Sequence, residues 1–195
     1  MQEIILASQS PRRKTLLEWA QLSCTVIVSD SDEHFPEDLD PAKAPIYIAT
    51  NKAIAVQSKI KNEFPIHSNK CIVAADTIVL LDGNIIGKPA DRAAAIISLQ
   101  SLSGKSHQVI TGVTILYEGK SYSFDETTTV TFHSLTDDQI IYYVDNFKPY
   151  DKAGGYAIQE WIGVVGIQSI QGDFYNVMGL PVSKLIQTIK QLGVI

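Results

Sequence analysis

The chain has 195 residues, of which 45% are apolar and 19% charged, enough for one domain with a full core and far from the composition of a disordered tail. Sixteen basic against 21 acidic side chains leave a formal charge of −5, which argues against a duplex nucleic-acid binder with a broad basic face. No apolar run approaches the roughly 18 residues of a membrane helix. The opening MQEIILASQSPRRK puts acid before its apolar run and base after it, the reverse of a signal peptide. A cytoplasmic protein with no membrane partner is expected. Cys24 and Cys71 sit in apolar surroundings and read as reduced, buried thiols. His34, His67, His107 and His133 show no zinc-like spacing.

Residues 3–8 read as a short strand. Pro11 then opens a helix, PRRKTLLEWAQL, with Ser10 as N-cap and Leu16, Leu17 and Ala20 as its apolar stripe. Residues 25–28 form a second strand. The acidic segment 29–45 carries Pro36, Pro41 and Pro45 and reads as a loop. Residues 46–60 are helical, with Ile46, Ala49, Ala53, Val56 and Ile60 at helix spacing. The run CIVAA (71–75) predicts a strand covered on both faces, interrupted at Asp76-Thr77 and resumed as IVLL, with a hairpin turn at Asp82-Gly83. Asp91 caps a helix to about Leu102, ended by Gly104. Two long strands follow, 107–117 and 122–132, joined by Glu118-Gly119. Thr136 and Gln139 form a capping box before a helix that Pro149 stops. The glycine-rich stretch 151–181 holds a strand at GVVGIQSI, and Pro181 opens the last helix. Alternating strands and helices at the start, with hairpins in the middle, predict an α/β or α+β fold with a mixed sheet.

Several polar residues stand where chemistry is expected. Between Ser8 and Arg13 a strand ends and a helix begins, so free backbone N–H groups favour an anion. Arg12 and Arg13 would add forked donors suited to phosphate oxygens. Cations at a helix N-terminus are mildly unfavourable without such an anion. Two solvated surface arginines are the competing reading. Asp76 closes a buried apolar run, where a carboxylate is costly unless paired or bound to metal; a turn acceptor is the alternative. Lys52 flanks the stripe of its helix and Lys88 lies in Gly87-Lys88-Pro89; either alone reads as a snorkelling surface lysine. Asp30, Asp32 and Glu33 form an acidic loop that, with Asp76, suits magnesium. Gly154 and Gly155 permit close backbone approach, and Gln159 offers the donor and acceptor needed to read a base edge. Taken together these are the parts that phosphoanhydride cleavage requires. Neither GxxxxGK[ST] nor GxGxxG occurs.

Eight blocks, in order, resemble the Maf-like family: LASQSPRRKTLL (6–17), Glu33, Lys52 in NKA, VAADTIV (73–79), GKP (87–89), LSGKSHQVITGV (102–113), DKAGGYAIQ (151–159) and GDFYNVMGLP (172–181). The resemblance runs nearly end to end. It implies a single domain over 1–195 with an elongated, two-lobed, ITPase-like α/β structure: a mixed central sheet flanked by helices, and a deep cleft. It implies a nucleoside triphosphate pyrophosphatase that cuts dTTP or UTP to monophosphate and pyrophosphate with magnesium or manganese. Ser8, Arg12, Arg13, Lys52 and Lys88 match positions that hold the triphosphate. Glu33 and Asp76 match the metal positions, and Asp76 the catalytic one. Arg13, Thr77 and Gln159 match positions that set substrate choice. A homodimer is expected on the same ground, with no stable nucleic-acid partner. The sequence leaves open whether Asp76 acts as base or as metal ligand, and whether a modified pyrimidine nucleotide is the substrate. A non-catalytic, nucleotide-sensing regulator of septum formation is the alternative. A single-strand nucleic-acid binder is a third reading, disfavoured by the acidic total and the lack of an aromatic-basic stripe.

Overall fold

A computed structural model describes residues 3–28, 33–64, 66 and 69–195. They divide into two compact units. The first comprises 1–76, 111–126 and 179–195, and the second 77–110 and 127–178. Strand β1 (Ile4–Ala7) is followed by helix α1 (Pro11–Trp19) and β2 (Cys24–Val26). A 3-10 turn over Pro41–Lys43 leads into α2 (Ala44–Glu63), and then come β3 (Cys71–Leu81), β4 (Asn84–Ile86) and α3 (Arg92–Leu102). The long strands β5 (Ser106–Tyr117) and β6 (Lys120–Phe132) precede α4 (Asp137–Phe147) and α5 (Trp161–Gly166). The chain ends with β7 (Ile167–Gln171), α6 (Phe174–Met178) and α7 (Val182–Gln191). The seven strands form one mixed sheet in the order β2-β1-β3-β5-β6-β7, with β4 paired to β3. The mixed α/β class is therefore as the sequence pattern predicts.

In the first unit, β1 lies parallel to both its neighbours, Ile4 opposite Cys24 on one side and Cys71 on the other. Both cysteines are free thiols, and burial pushes Cys71 up to about 12. Ile5, Ala7, Ile72 and Ala74 point to one face of the sheet, where they form a single apolar cluster with Ala53, Val56 and Ile60 of α2. The stripe expected on α2 is buried at Ala49, Ala53, Val56 and Ile60, whereas Ile46 is only half-buried and Ile48 is buried instead. Helix α1 buries Leu16 and Leu17 together with Arg13, the i, i+3, i+4 face of the helix.

The turn chemistry follows the residues. Asp82-Gly83 and Glu118-Gly119 all have positive φ, as two-residue hairpin turns of the primed type demand. The Asp91 carboxylate accepts from the Ala94 N–H at 2.8 Å, and both bonds of the Thr136–Gln139 capping box are present. Three expectations need correction. Strand β3 runs through Asp76-Thr77 without a break. Ser10 occupies the N-cap position but makes no side-chain cap bond; the Ser8 hydroxyl accepts from the Ser10 N–H at 3.2 Å instead. The stretch read as a strand, GVVGIQSI, is helix α5 as far as Gly166, and only Ile167–Gln171 is strand. Gly163 decides this: a Cβ there would lie 1.7 Å from the Ile158 carbonyl oxygen, and its N–H closes a turn onto the Glu160 carbonyl at 2.9 Å.

In the second unit, His107 is buried against Phe132 and Tyr156, with ring centroids 5.4 and 5.5 Å away. Its Nε2 lies 2.7 Å from the Tyr156 hydroxyl, and its Nδ1 has no partner. Burial lowers its pKa to about 4, against about 6.5 in an unfolded chain. The folded form therefore binds fewer protons than the unfolded chain between those values, and stability falls as pH drops through that window. Relative to His107→Gln, which cannot titrate, the wild type is expected to lose about 2 kcal/mol more between pH 7 and pH 5. Urea midpoints at the two pH values check this; parallel losses in both proteins would contradict it.

Candidate active site

The apolar face shared by β1, β3 and α2 ends where polar chemistry begins. The β1–β3 pairing stops at Ala7 opposite Ala74. Asp76, two residues further along β3, points to the same face as Ile72 and Ala74 because strand side chains alternate. It is buried. On α2, Lys52 precedes Ala53 of the same cluster, and its ammonium donates to Asp76 Oδ1 at 2.8 Å and to Glu33 Oε1 at 2.6 Å. The three residues named for metal, catalysis and phosphate thus meet at one point. Only Glu33 is well exposed, with half of its side chain accessible, against 16% for Lys52 and 11% for Asp76. A buried carboxylate is tolerable on these terms because its charge is paired and hydrogen-bonded.

At the same end of β1 the chain turns through Ser8 into α1. The buried Arg13 donates from Nε to the Gly179 carbonyl at 2.8 Å and from Nη1 to the Ser8 hydroxyl at 3.0 Å. Burial lowers the Arg13 pKa, and the charge of Asp76 works against that shift. Arg12 and Glu33 act on the same guanidinium. Arg13 is therefore not one of a pair of solvated arginines: it is fixed by two oxygens and lies within the field of the carboxylates. Ser8, Arg12, Arg13, Glu33, Lys52 and Asp76 all belong to the first unit.

Thr77, Lys88 and Gln159 belong to the second. There the loops at 87–89 and 153–155 are joined: the Gly154 N–H donates to the Gly87 carbonyl at 3.1 Å, and the Ser98 hydroxyl donates to the Gly154 carbonyl at 2.7 Å. Gly154 has φ +70°, and a Cβ on it would come within 2.9 Å of Val79, so the glycine at this position is demanded by both conformation and space. Lys88 and Gln159 are exposed and Thr77 is half-buried. Asp30 and Asp32, the remaining acids of the expected metal loop, lie outside the described residues, as does His67.

Among the described residues, no three His, Cys, Asp or Glu side chains gather as a metal cage. The donor set nevertheless fits a hard divalent cation. Glu33 and Asp76 bring two carboxylates onto one ammonium, and magnesium commonly takes one or two carboxylates and completes its shell with water and substrate phosphate. A cavity of about 480 Å³ in the first unit, lined by Gln57, Lys70, Ile72 and Leu116 among others, contains none of these residues.

A family model for the Maf-like proteins matches residues 3–192. The chain belongs to the Maf-like family. Among its relatives in the family, a dTTP/UTP pyrophosphatase of Parabacteroides distasonis is 46% identical over 189 residues, 96% of this chain and 95% of that protein. A dTTP/UTP pyrophosphatase of Porphyromonas gingivalis is 45% identical over 192 residues, 98% of this chain and 94% of that protein. Among solved structures, the chain is similar to the Ham1 protein of Staphylococcus aureus at a TM-score of 0.44 and 15% identity, covering 67% of this chain and 71% of that one.

Sequence reasoning assigned no role to two residues that hold this Maf-like site in place. Gly179 supplies the carbonyl that fixes Arg13. Gly112 faces the start of α2 so closely that a Cβ would lie 2.3 Å from the Ile46 nitrogen. Both lie in blocks that carry the family resemblance, the one signal in the sequence that pointed to them. Gly112→Ala is expected to push the first turn of α2 away and to cost about 1–3 kcal/mol, the usual range for overpacking. An unchanged urea midpoint would show that the helix yields without strain.

Proposed function

We propose that this Maf-like chain is a nucleoside triphosphate pyrophosphatase that cleaves dTTP and UTP between the α- and β-phosphorus atoms. One observation carries the reading beyond kinship with the dTTP/UTP pyrophosphatases: Lys52 bridges Glu33 and Asp76 at 2.6 and 2.8 Å, beside a buried arginine held by Ser8. Cations for phosphate oxygens and carboxylates for a metal thereby stand together, which a solvated acidic loop or a pair of surface arginines would not require. A membrane setting finds no support among the described residues, where no helix is long and apolar enough to cross a bilayer. A cytoplasmic enzyme acting on the nucleotide pool belongs to the same proposal.

In this reading Ser8, Arg12, Arg13, Lys52 and Lys88 hold the triphosphate, and Arg13, Thr77 and Gln159 set the choice of base. Glu33 and Asp76 would hold magnesium or manganese, which when bound would offset charge developing on the phosphate oxygens. Water attacks the α-phosphorus in line with the leaving pyrophosphate; the new P–O bond forms as the bond to the bridging oxygen breaks. Asp76 orients that water and accepts its proton. Lys52, already shared between the two carboxylates, fixes the direction in which Asp76 presents its oxygens. The fixed guanidinium of Arg13 and the charge of Arg12 favour the negative charge that develops on the leaving pyrophosphate and on the phosphoryl oxygens as the bond breaks.

Two measurements test this. Pyrophosphate release should be fastest from UTP and dTTP, should depend on magnesium or manganese, and should stop with EDTA. Equal rates on all four common nucleotides would refute the pyrimidine preference, release of single orthophosphate would mean the wrong bond, and binding without turnover would favour the nucleotide-sensing regulator. Separately, Asp76→Asn should lower kcat by orders of magnitude while thermal unfolding shows an intact fold. Near-normal turnover by that variant would remove Asp76 from the chemistry.

A further inference from the structure

The turn that carries Gln159 is held far more firmly than an exposed turn requires. Ala157 and Ile158 are buried, Gln159 is exposed, and the Glu160 N–H closes back onto the Ala157 carbonyl at 3.1 Å. Tyr143 of α4 reaches this turn from beneath. Its side chain is fully buried, its hydroxyl accepts from the Ala157 N–H at 3.1 Å, and it donates to Glu160 Oε2 at 2.5 Å. One phenol oxygen therefore clasps both ends of the four-residue segment. Burial, then the bond to Glu160, raises the Tyr143 pKa, so it remains a donor at neutral pH.

The clasp is itself braced. Glu160 Oε1 lies 3.6 Å from the Lys152 ammonium, which is buried and 2.8 Å from Asp151 Oδ1. Below the turn, the backbone of Gly163 approaches Ile158 so closely that no side chain fits. By contrast, among the described residues the Gln159 amide engages no other protein group. A buried hydroxyl, a carboxylate and an ammonium are costly to desolvate unless each is satisfied. Here all three are committed to one turn whose only outward side chain is an uncommitted amide. An amide discriminates between base edges only if its backbone is held in place, since a loosely placed reader adapts to the wrong partner.

We propose that Tyr143 is a positioning residue for base selection, its hydroxyl fixing the 157–160 turn so that the Gln159 amide meets a pyrimidine edge in one orientation. This rests on the reading of Gln159 as the group that contacts the base. Glu160 and Lys152 act through Tyr143 and the same turn, not through the nucleotide.

The test is steady-state pyrophosphate release from UTP, dTTP, ATP and GTP by the wild type, Tyr143→Phe, Gln159→Ala and the double variant. Phenylalanine keeps the ring and removes only the shared oxygen. The ratio of kcat/KM for UTP over ATP is expected to fall about tenfold in Tyr143→Phe, the effect of roughly one hydrogen bond. The loss should lie in KM for UTP, with kcat nearly kept. In the Gln159→Ala background, Tyr143→Phe should change the ratio no further, because the two residues act as one unit. A lower melting temperature with an unchanged ratio would overturn the proposal and leave Tyr143 a purely structural residue. Should Tyr143→Phe fail to fold, Glu160→Ala loosens the same turn from its other end; an unchanged ratio there would equally overturn it. A wild type without pyrimidine preference refutes the underlying base-reading role. A wild type that prefers pyrimidines, with a Gln159→Ala variant that keeps the preference, places the reader elsewhere.

Discussion

The packing of α2 on one face of β1 and β3 is the constraint on which the first unit depends. Alanines at 49 and 53 let the helix lie close, and Val56 and Ile60 meet Ile5 and Ile72 in a shared apolar cluster. Each such aliphatic side chain contributes about 1.5–3 kcal/mol on burial, so the face as a whole holds the helix against the sheet with little freedom to slide. Lys52 is adjacent in sequence to a residue of that cluster, and Asp76 is the next inward position beyond Ala74. Once the apolar face is formed, the ammonium and the carboxylate meet without further choice. The position of the site is thus a by-product of hydrophobic registry, and its polar bonds only finish what burial begins.

Charge then decides what the assembled residues suit. Glu33 and Asp76 pair with Lys52, and together with Arg12 they act on the charge of Arg13, so three cations and two carboxylates gather within a chain whose total is −5. The arginine that sits deepest is also the one most constrained, with two oxygen acceptors and the inward face of α1 around it. Fixing a guanidinium in advance removes a rearrangement that a mobile arginine would have to undergo when an anion arrives, and preorganised charge of this kind is the main lever available for stabilising phosphoryl transition states.

Much of this was legible in the residues, for reasons that can be named. Asp91, the Thr136–Gln139 pair and the Asp-Gly and Glu-Gly turns were readable because their chemistry is local: a side chain or a positive φ answers to neighbours two or three residues away. The helical period over 46–60 was readable for the same reason, whereas the close approach of Gly112 to the Ile46 backbone, 66 positions distant in sequence, was not. The strand expected over 163–166 fails on local grounds. Two valines beside two glycines have β propensity, but Gly163 is pressed onto the Ile158 carbonyl and the local turn wins. In the site, the residue types at Ser8, Arg12, Arg13, Lys52 and Asp76 suit phosphate chemistry when taken as a set. Local pattern, however, leaves Lys52 and the two arginines readable as surface residues and Asp76 as a turn acceptor, because nothing within a few positions reveals that Lys52 and Asp76 touch. The Gly179 carbonyl and the Tyr143 hydroxyl stay hidden for the same reason.

The register of β1 has one more consequence, for the redox behaviour of the chain. Ile4 pairs with Cys24 on one side and Cys71 on the other, so the two sulfurs belong to the same row of the sheet with a whole strand between them. Two strand spacings amount to about 10 Å, beyond the reach of a disulfide, which needs Cα atoms within about 7 Å. The central strand works as a spacer that keeps the only two thiols apart for as long as the sheet exists. An oxidant cannot staple this fold to itself, and no disulfide between these two cysteines contributes to its stability.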